Sequence, residues 1–169
     1  MIVLTALQEF EVVDVSEGVE VFKPDAGHPL TGEVIEEKMS ELPQVFAVMV
    51  ENAADAWPLV GVDQAFLVIE APVEAGIPRF ITFFTEETTA EKLGPVRSAR
   101  PYYLDWALGI DAIYTHVGGS PEALDLISEL DVIDVNQFFE SEYFYRQTWG
   151  GRYAPHNVFT DGEVLRGIL

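Results

Sequence analysis

The chain has 169 residues and no cysteine, with 29 acidic side chains against 9 basic ones for a formal net charge of −20, and 49% of its residues are hydrophobic. Such a length supports one globular domain without disulfides or structural metal, because a folded chain of about 150 residues buries about 68–70% of the surface its unfolded form exposes. The charge makes nucleic acid and anionic membrane surfaces poor partners, and no apolar run approaches the about 20 residues that span a bilayer.

The opening Met1-Ile-Val-Leu-Thr-Ala-Leu7 is too short for a signal h-region, lacks a basic n-region and meets Glu9 and Glu11 at once. Either the protein carries no export signal or the sequence starts beyond one. The absence of cysteine leaves the compartment open. Residues 9–23 alternate polar and apolar around Ser16-Glu17-Gly18 and predict a β-hairpin; the prolines and glycine of Lys23–Pro29 then break regular structure. Residues 1–28 are thus expected to be a hairpin and linker, and residues 29–169 an α/β domain.

Val45–Val50 is a continuous apolar run of strand length, as expected of a strand covered on both faces. Two further strands are predicted at Ala65–Ile69 and Phe80–Phe84. The segment from Glu70 to Pro78 between them is too short for a crossover helix, so this pair is antiparallel and the sheet mixed. Ser98 is placed to cap a helix running to Leu108, with Pro101 in its first turn and Gly109 as a left-handed C-terminal cap. Ala112–Val117 reads as a strand, and Gly118-Gly119 turns it into a helix over Pro121–Leu130, capped by Ser120, with Ala123, Leu124, Ile127 and Leu130 as its apolar face. Trp106, Leu124 and Ile127 are the expected core residues of the two helices. The fold class is α/β, a single compact domain with a mixed β-sheet flanked by helices. Residues 136–153 hold seven of the chain's 20 aromatic side chains. They either cover the core or present a protein contact surface.

Positive charge is scarce and unevenly placed, with 2 basic residues before position 76 and 7 after it. Arg79, Arg97 and Arg100 fall close together, two of them inside Gly94-Pro-Val-Arg-Ser-Ala-Arg-Pro101, which leads into a helix whose free amides favour anions. Arg97, Ser98, Arg100 and Arg79, with His116, Gly118, Gly119 and Ser120 at the strand-to-helix turn and His156 and Asn157 further on, form a candidate ligand-binding set. Its ligand would be an anionic or polar small molecule or an envelope glycan. The competing reading pairs each arginine with one of the many carboxylates and makes His116 a satisfied structural histidine. Three scattered histidines give no zinc spacing, and Ser98 and Ser120 lie in no nucleophile elbow, so no metal is expected and any cofactor is unknown.

The segments Pro29-Leu-Thr-Gly32, Val48-Met-Val-Glu-Asn52, Glu74-Ala-Gly-Ile-Pro-Arg79, Gly94-Pro-Val-Arg-Ser-Ala-Arg-Pro-Tyr102, Asp111-Ala-Ile-Tyr114, His116-Val-Gly-Gly-Ser-Pro121 and Pro155-His-Asn157 follow in order. On these motifs, over about residues 29–166, the chain resembles the YerB-like bacterial lipoproteins, a family of unknown function. The resemblance implies an extracytoplasmic domain tethered by a lipidated N-terminus and followed by a second region. It also marks departures: no lipobox cysteine is seen, the sequence stops soon after Pro155-His-Asn157, Glu51 stands where an aspartate is usual, and Trp57 and Phe66 replace polar residues. A looser similarity of arrangement to the LytR-CpsA-Psr cell-wall ligases implies an alternative function as a transferase or hydrolase of phosphoryl-linked glycans, with a divalent metal on carboxylates such as Asp105 or Asp111. Whether the protein is an enzyme stays open at this level.

Overall fold

The apolar run Val45–Glu51 becomes strand β1, and all seven of its residues are buried, because it lies at the centre of a five-stranded sheet with both faces covered. The computed structural model describes residues 27–35, 39 and 41–169; the hairpin expected over residues 9–23 lies outside them. Contacts divide the chain into two units, Met1–Ser40 and Glu41–Leu169. In the first, Gly27 bridges Val34 and the His28 ring nitrogen Nδ1 accepts the amides of Leu30 and Thr31 at 3.2 and 3.1 Å.

In the second unit the sheet order is β2-β3-β1-β4-β5, with β2 Leu67–Pro72, β3 Pro78–Thr85, β4 Ile113–His116 and β5 Asp134–Asn136. β3 pairs antiparallel with both β2 and β1, whereas β4 runs parallel to β1 and β5 parallel to β4. The four expected strands therefore share one mixed sheet, as the short Glu70–Pro78 connection required. β2 starts two residues later than expected and is an edge strand whose Leu67 and Val68 are exposed. Helices α1 (Pro101–Leu108) and α2 (Pro121–Glu129) contact each other, and α3 (Gly162–Arg166) closes the chain. A two-stranded ribbon, β6 (Tyr145–Arg146) with β7 (Val158–Phe159), adds Val158 to the core cluster of Phe46, Val48, Val50 and Val96.

Several local expectations are corrected. Ser98 does not cap α1: the cap position is Arg100, and Pro101 is the first helical residue, because the preceding segment is spent on pairing, with the Arg97 amide donating to Met49 O at 2.8 Å and that of Ala99 to Gly118 O at 2.9 Å. Gly109 ends α1 in right-handed rather than left-handed conformation. Ser120 does cap α2, accepting the Ala123 amide on Oγ at 3.3 Å. On α2 only Ala123 and Ile127 are buried; Leu124 is 38% exposed, and Leu130 also faces outward. Trp106 is half-buried, packed edge-on against Tyr102 and Tyr103. Tyr103 is the side chain that ties α1 to the sheet, its hydroxyl 2.8 Å from the carbonyls of both Ala71 and Arg79. In the aromatic segment Phe144 is buried in the core, whereas Phe138, Phe139 and Tyr153 are exposed.

Candidate functional site

β4 pairs with β1 only along Phe46–Val48; beyond it the Gly94–Arg97 segment takes over, bridging Val50 through Val96 and accepting the Glu51 amide on Pro95 O at 2.9 Å. Gly94 makes this approach possible. Its φ is +139°, and a Cβ there would lie 2.8 Å from the Val96 amide and 3.0 Å from the Phe159 ring. The result is to lay Arg97 beside Glu51, the last residue of β1. The β6–β7 loop, held by the Gln147 amide on Asn157 O at 3.0 Å, brings in His156.

Glu51 is buried, and a carboxylate removed from water needs partners. Its Oε1 lies 3.3 Å from Arg97 Nε, an ion pair whose geometry falls short of a directed hydrogen bond, and its Oε2 lies 2.9 Å from His156 Nδ1. Arg79 is its register partner on β3, and Arg152 interacts with it electrostatically. Burial pulls Arg79 below the usual guanidinium range; the charges of Arg100 and Arg97 act in the same direction, against Tyr103 and Glu51. Burial likewise lowers Arg152, and Glu51 opposes that shift. In a chain of net charge −20, then, three guanidiniums and a histidine gather around one buried carboxylate.

Beside this cluster lies a cavity of about 240 Å³ lined by Asp55, Trp57, Gly150, Gly151, Arg152, Tyr153 and His156. Arg152 is buried, donates from Nη2 to Pro58 O and stacks 5.7 Å from the Phe159 ring centre. Since Nδ1 of His156 is engaged by Glu51, its Nε2 is the nitrogen left to meet a ligand. The wall of this cavity thus carries Arg152 and His156 together with the Asp55 carboxylate, and His156 joins it to Glu51.

The structure divides the predicted site residues. Arg97 and His156 meet at Glu51, and Arg79 lies opposite it on β3. Ser98 contributes its carbonyl, which accepts Arg79 Nη1 at 2.6 Å. Arg100 turns away to a bidentate pair with Glu74, 2.6 Å at both contacts, and this pair, with Ser120, lines a separate cavity of about 620 Å³ at the starts of α1 and α2. Asp105, Glu122 and Glu74 make that larger cavity acidic, so it is the poorer place for an anion. Hydrogen bonding to Arg100 holds the Glu74 carboxyl down at about 2. His116 is fully buried, its Nδ1 donating to Gly118 O at 2.7 Å and its Nε2 at 2.8 Å from Asp134. The Gly118 amide donates to Asn136 Oδ1 at 3.0 Å and that of Ser120 to Ala99 O at 3.2 Å, so these groups hold the turn. Gly119 bridges Ala99 in the same turn. The Oδ1 of Asn157 accepts from Arg146 Nη1 at 2.8 Å. Among the described residues no group of three or more His, Asp or Glu is arranged to hold a metal ion, and no helix is long and apolar enough to cross a membrane.

Sequence reasoning missed Glu51, Asp55, Trp57, Arg152 and Tyr153 as site residues. The available signals were an acid closing an otherwise apolar strand and the departures from the family pattern at Glu51 and Trp57.

The model for the family described as "Protein of unknown function (DUF3048) N-terminal domain" matches residues 30–168. The "Putative lipoprotein YerB" of Bacillus subtilis strain 168 is 36% identical over 139 residues, covering 82% of this chain and 41% of that protein. The crystal structure of the YerB protein from Bacillus subtilis superposes with a TM-score of 0.75 at 34% identity, covering 84% of this chain and 48% of that one. The chain therefore spans less than half the length of the relatives it matches.

Proposed function

Because the chain belongs to the DUF3048 N-terminal-domain family, whose function is unknown, we propose its role from its own site: it binds an anionic ligand in the cavity beside Glu51, through Arg152 and His156 with Arg97 behind them. One observation carries this reading: in a protein whose overall charge is −20, Arg152 and the Glu51-bound His156 stand together on the wall of one cavity. Glu51 fixes the directions of Arg97 and His156 and so holds basic groups in place at the cavity. A cavity of about 240 Å³ lies below the 300–1,000 Å³ typical of drug-sized ligands and suits a small anionic group. The name of the Bacillus relative, a lipoprotein, supports reading this binding as one that takes place outside the cytoplasm, at the envelope.

The test is an NMR titration with inorganic phosphate. Charge-assisted hydrogen bonds of about 1.5–3 kcal/mol make Arg152→Ala and His156→Ala each lose about tenfold or more in affinity, while Arg100→Ala, committed to Glu74, leaves it unchanged. Equal affinity in all four proteins contradicts the proposal.

A second reading rests on the Glu51–His156 contact, since a buried carboxylate orienting a histidine at a cavity is an arrangement suited to proton transfer. On that reading the domain transfers or hydrolyses phosphoryl-linked glycans. Turnover of a p-nitrophenyl phosphate ester, lost in His156→Ala, separates it from binding alone.

A further inference from the structure

The walls of the same cavity carry two aromatic rings that the anion does not use. Trp57 is 59% exposed and Tyr153 74% exposed, and both line it. An indole left this open to water is usually loosely placed, but here its Nε1 donates to Asn52 Oδ1 at 3.0 Å, and Asn52 Nδ2 in turn donates to Glu70 Oε1 at 2.6 Å. Two polar side chains are thus spent on holding a ring that stays largely open to water. A ring ordered in advance lowers the entropy lost when something stacks on it.

We propose that the cavity takes an anionic sugar, its pyranose face against Trp57 and Tyr153 and its charged substituent toward Arg152 and His156. The inference rests on the anion-binding reading above and names the ligand class. A pyranose presents flat patches of C–H to an aromatic face and a rim of hydroxyls that need both donors and acceptors. Apart from the rings, the walls supply both: the Asp55 carboxylate accepts, Arg152 donates, and His156 Nε2 can do either. Gly150 and Gly151, at φ +69° and +78°, leave open space where side chains would stand, so the ligand can approach the backbone. A nucleotide has the same combination of ring and anion, but its flat aromatic base has less use for a polar rim that both donates and accepts.

Calorimetric titration of the whole chain with inorganic phosphate, glucose 1-phosphate, glucuronate and AMP tests this. The expected result is that at least one of the two anionic sugars binds about tenfold more tightly than phosphate, that AMP does not, and that Trp57→Ala removes the advantage while leaving phosphate affinity within about twofold. Trp57→Phe, which keeps a ring, retains part of it. The proposal is overturned if neither sugar exceeds phosphate, if AMP binds best, or if Trp57→Ala leaves the sugar-to-phosphate ratio unchanged in a protein that melts normally. Phosphate binding without any sugar advantage sinks this inference alone; absence of any anion binding sinks the reading beneath it as well.

Discussion

Glu51 and Arg79 occupy the same rung of the antiparallel β1–β3 pair, so a buried carboxylate and a buried guanidinium project from one face of the sheet. Arg97 and His156 then reach Glu51 from two loops. Removing the carboxylate leaves Arg79 and Arg97 facing each other with their shared counter-charge gone. Glu51→Gln is therefore expected to destabilise the fold by about 3–5 kcal/mol, as breaking a buried ion pair does. Denaturant unfolding measures it, and a loss below about 1 kcal/mol would show that Glu51 neutralises nothing essential.

The Glu74–Arg100 pair predicts an acid transition. The Glu74 carboxyl falls from 4.5 to about 2, chiefly through its hydrogen bonds with Arg100. A group depressed in the folded state stabilises above its unfolded pKa, so this contribution is complete above pH 4.5 and disappears as the pH falls through about 2. NMR titration of Glu74 should give its midpoint near that lower value in wild type and near the ordinary carboxylate range in Arg100→Ala. A wild-type midpoint above 4 would mean that the pair does not persist in solution.

Ile127 and Leu124 separate the observed face of α2 from the one its sequence suggests. Truncating buried Ile127 to alanine should cost about 2–5 kcal/mol. Leu124→Ala, with its side chain partly in water, should cost less than about 1 kcal/mol. Comparable losses at the two positions would contradict the orientation of the helix.

This difference shows what the sequence could and could not convey. β1 was legible because a short apolar run rich in valine fits a strand covered on both sides, and the start of α2 because Ser120 and Pro121 act locally. Which stripe of α2 is buried depends on where α1 and the sheet lie, and the sequence of the helix does not state that. The cap of α1 was misplaced for a related reason: the segment through Ser98 looks free in sequence but is engaged by β1 and by the turn after β4. Arg97 and His156 were legible as scarce basic residues in specific motifs. Glu51, which joins them, was not, since its contact with His156 spans 105 positions.

With 29 carboxylates against 9 basic side chains, self-repulsion opposes folding, and salt with a Debye length of about 10 Å at 0.1 M screens it. The melting temperature should rise with moderate sodium chloride. A steady fall would mean that specific pairs such as Arg97–Glu51 and Arg100–Glu74 outweigh the net repulsion.

The central claim, that an anion belongs beside Glu51, is tested most directly by crystals of the protein soaked in selenate, with the anion located from the anomalous scattering of selenium. The account predicts a selenium peak in the cavity within hydrogen-bonding reach of Arg152 and His156, and its loss in His156→Ala crystals treated identically. A peak confined to the cavity between the starts of α1 and α2, near Arg100 and Ser120, or none in either cavity, would contradict it.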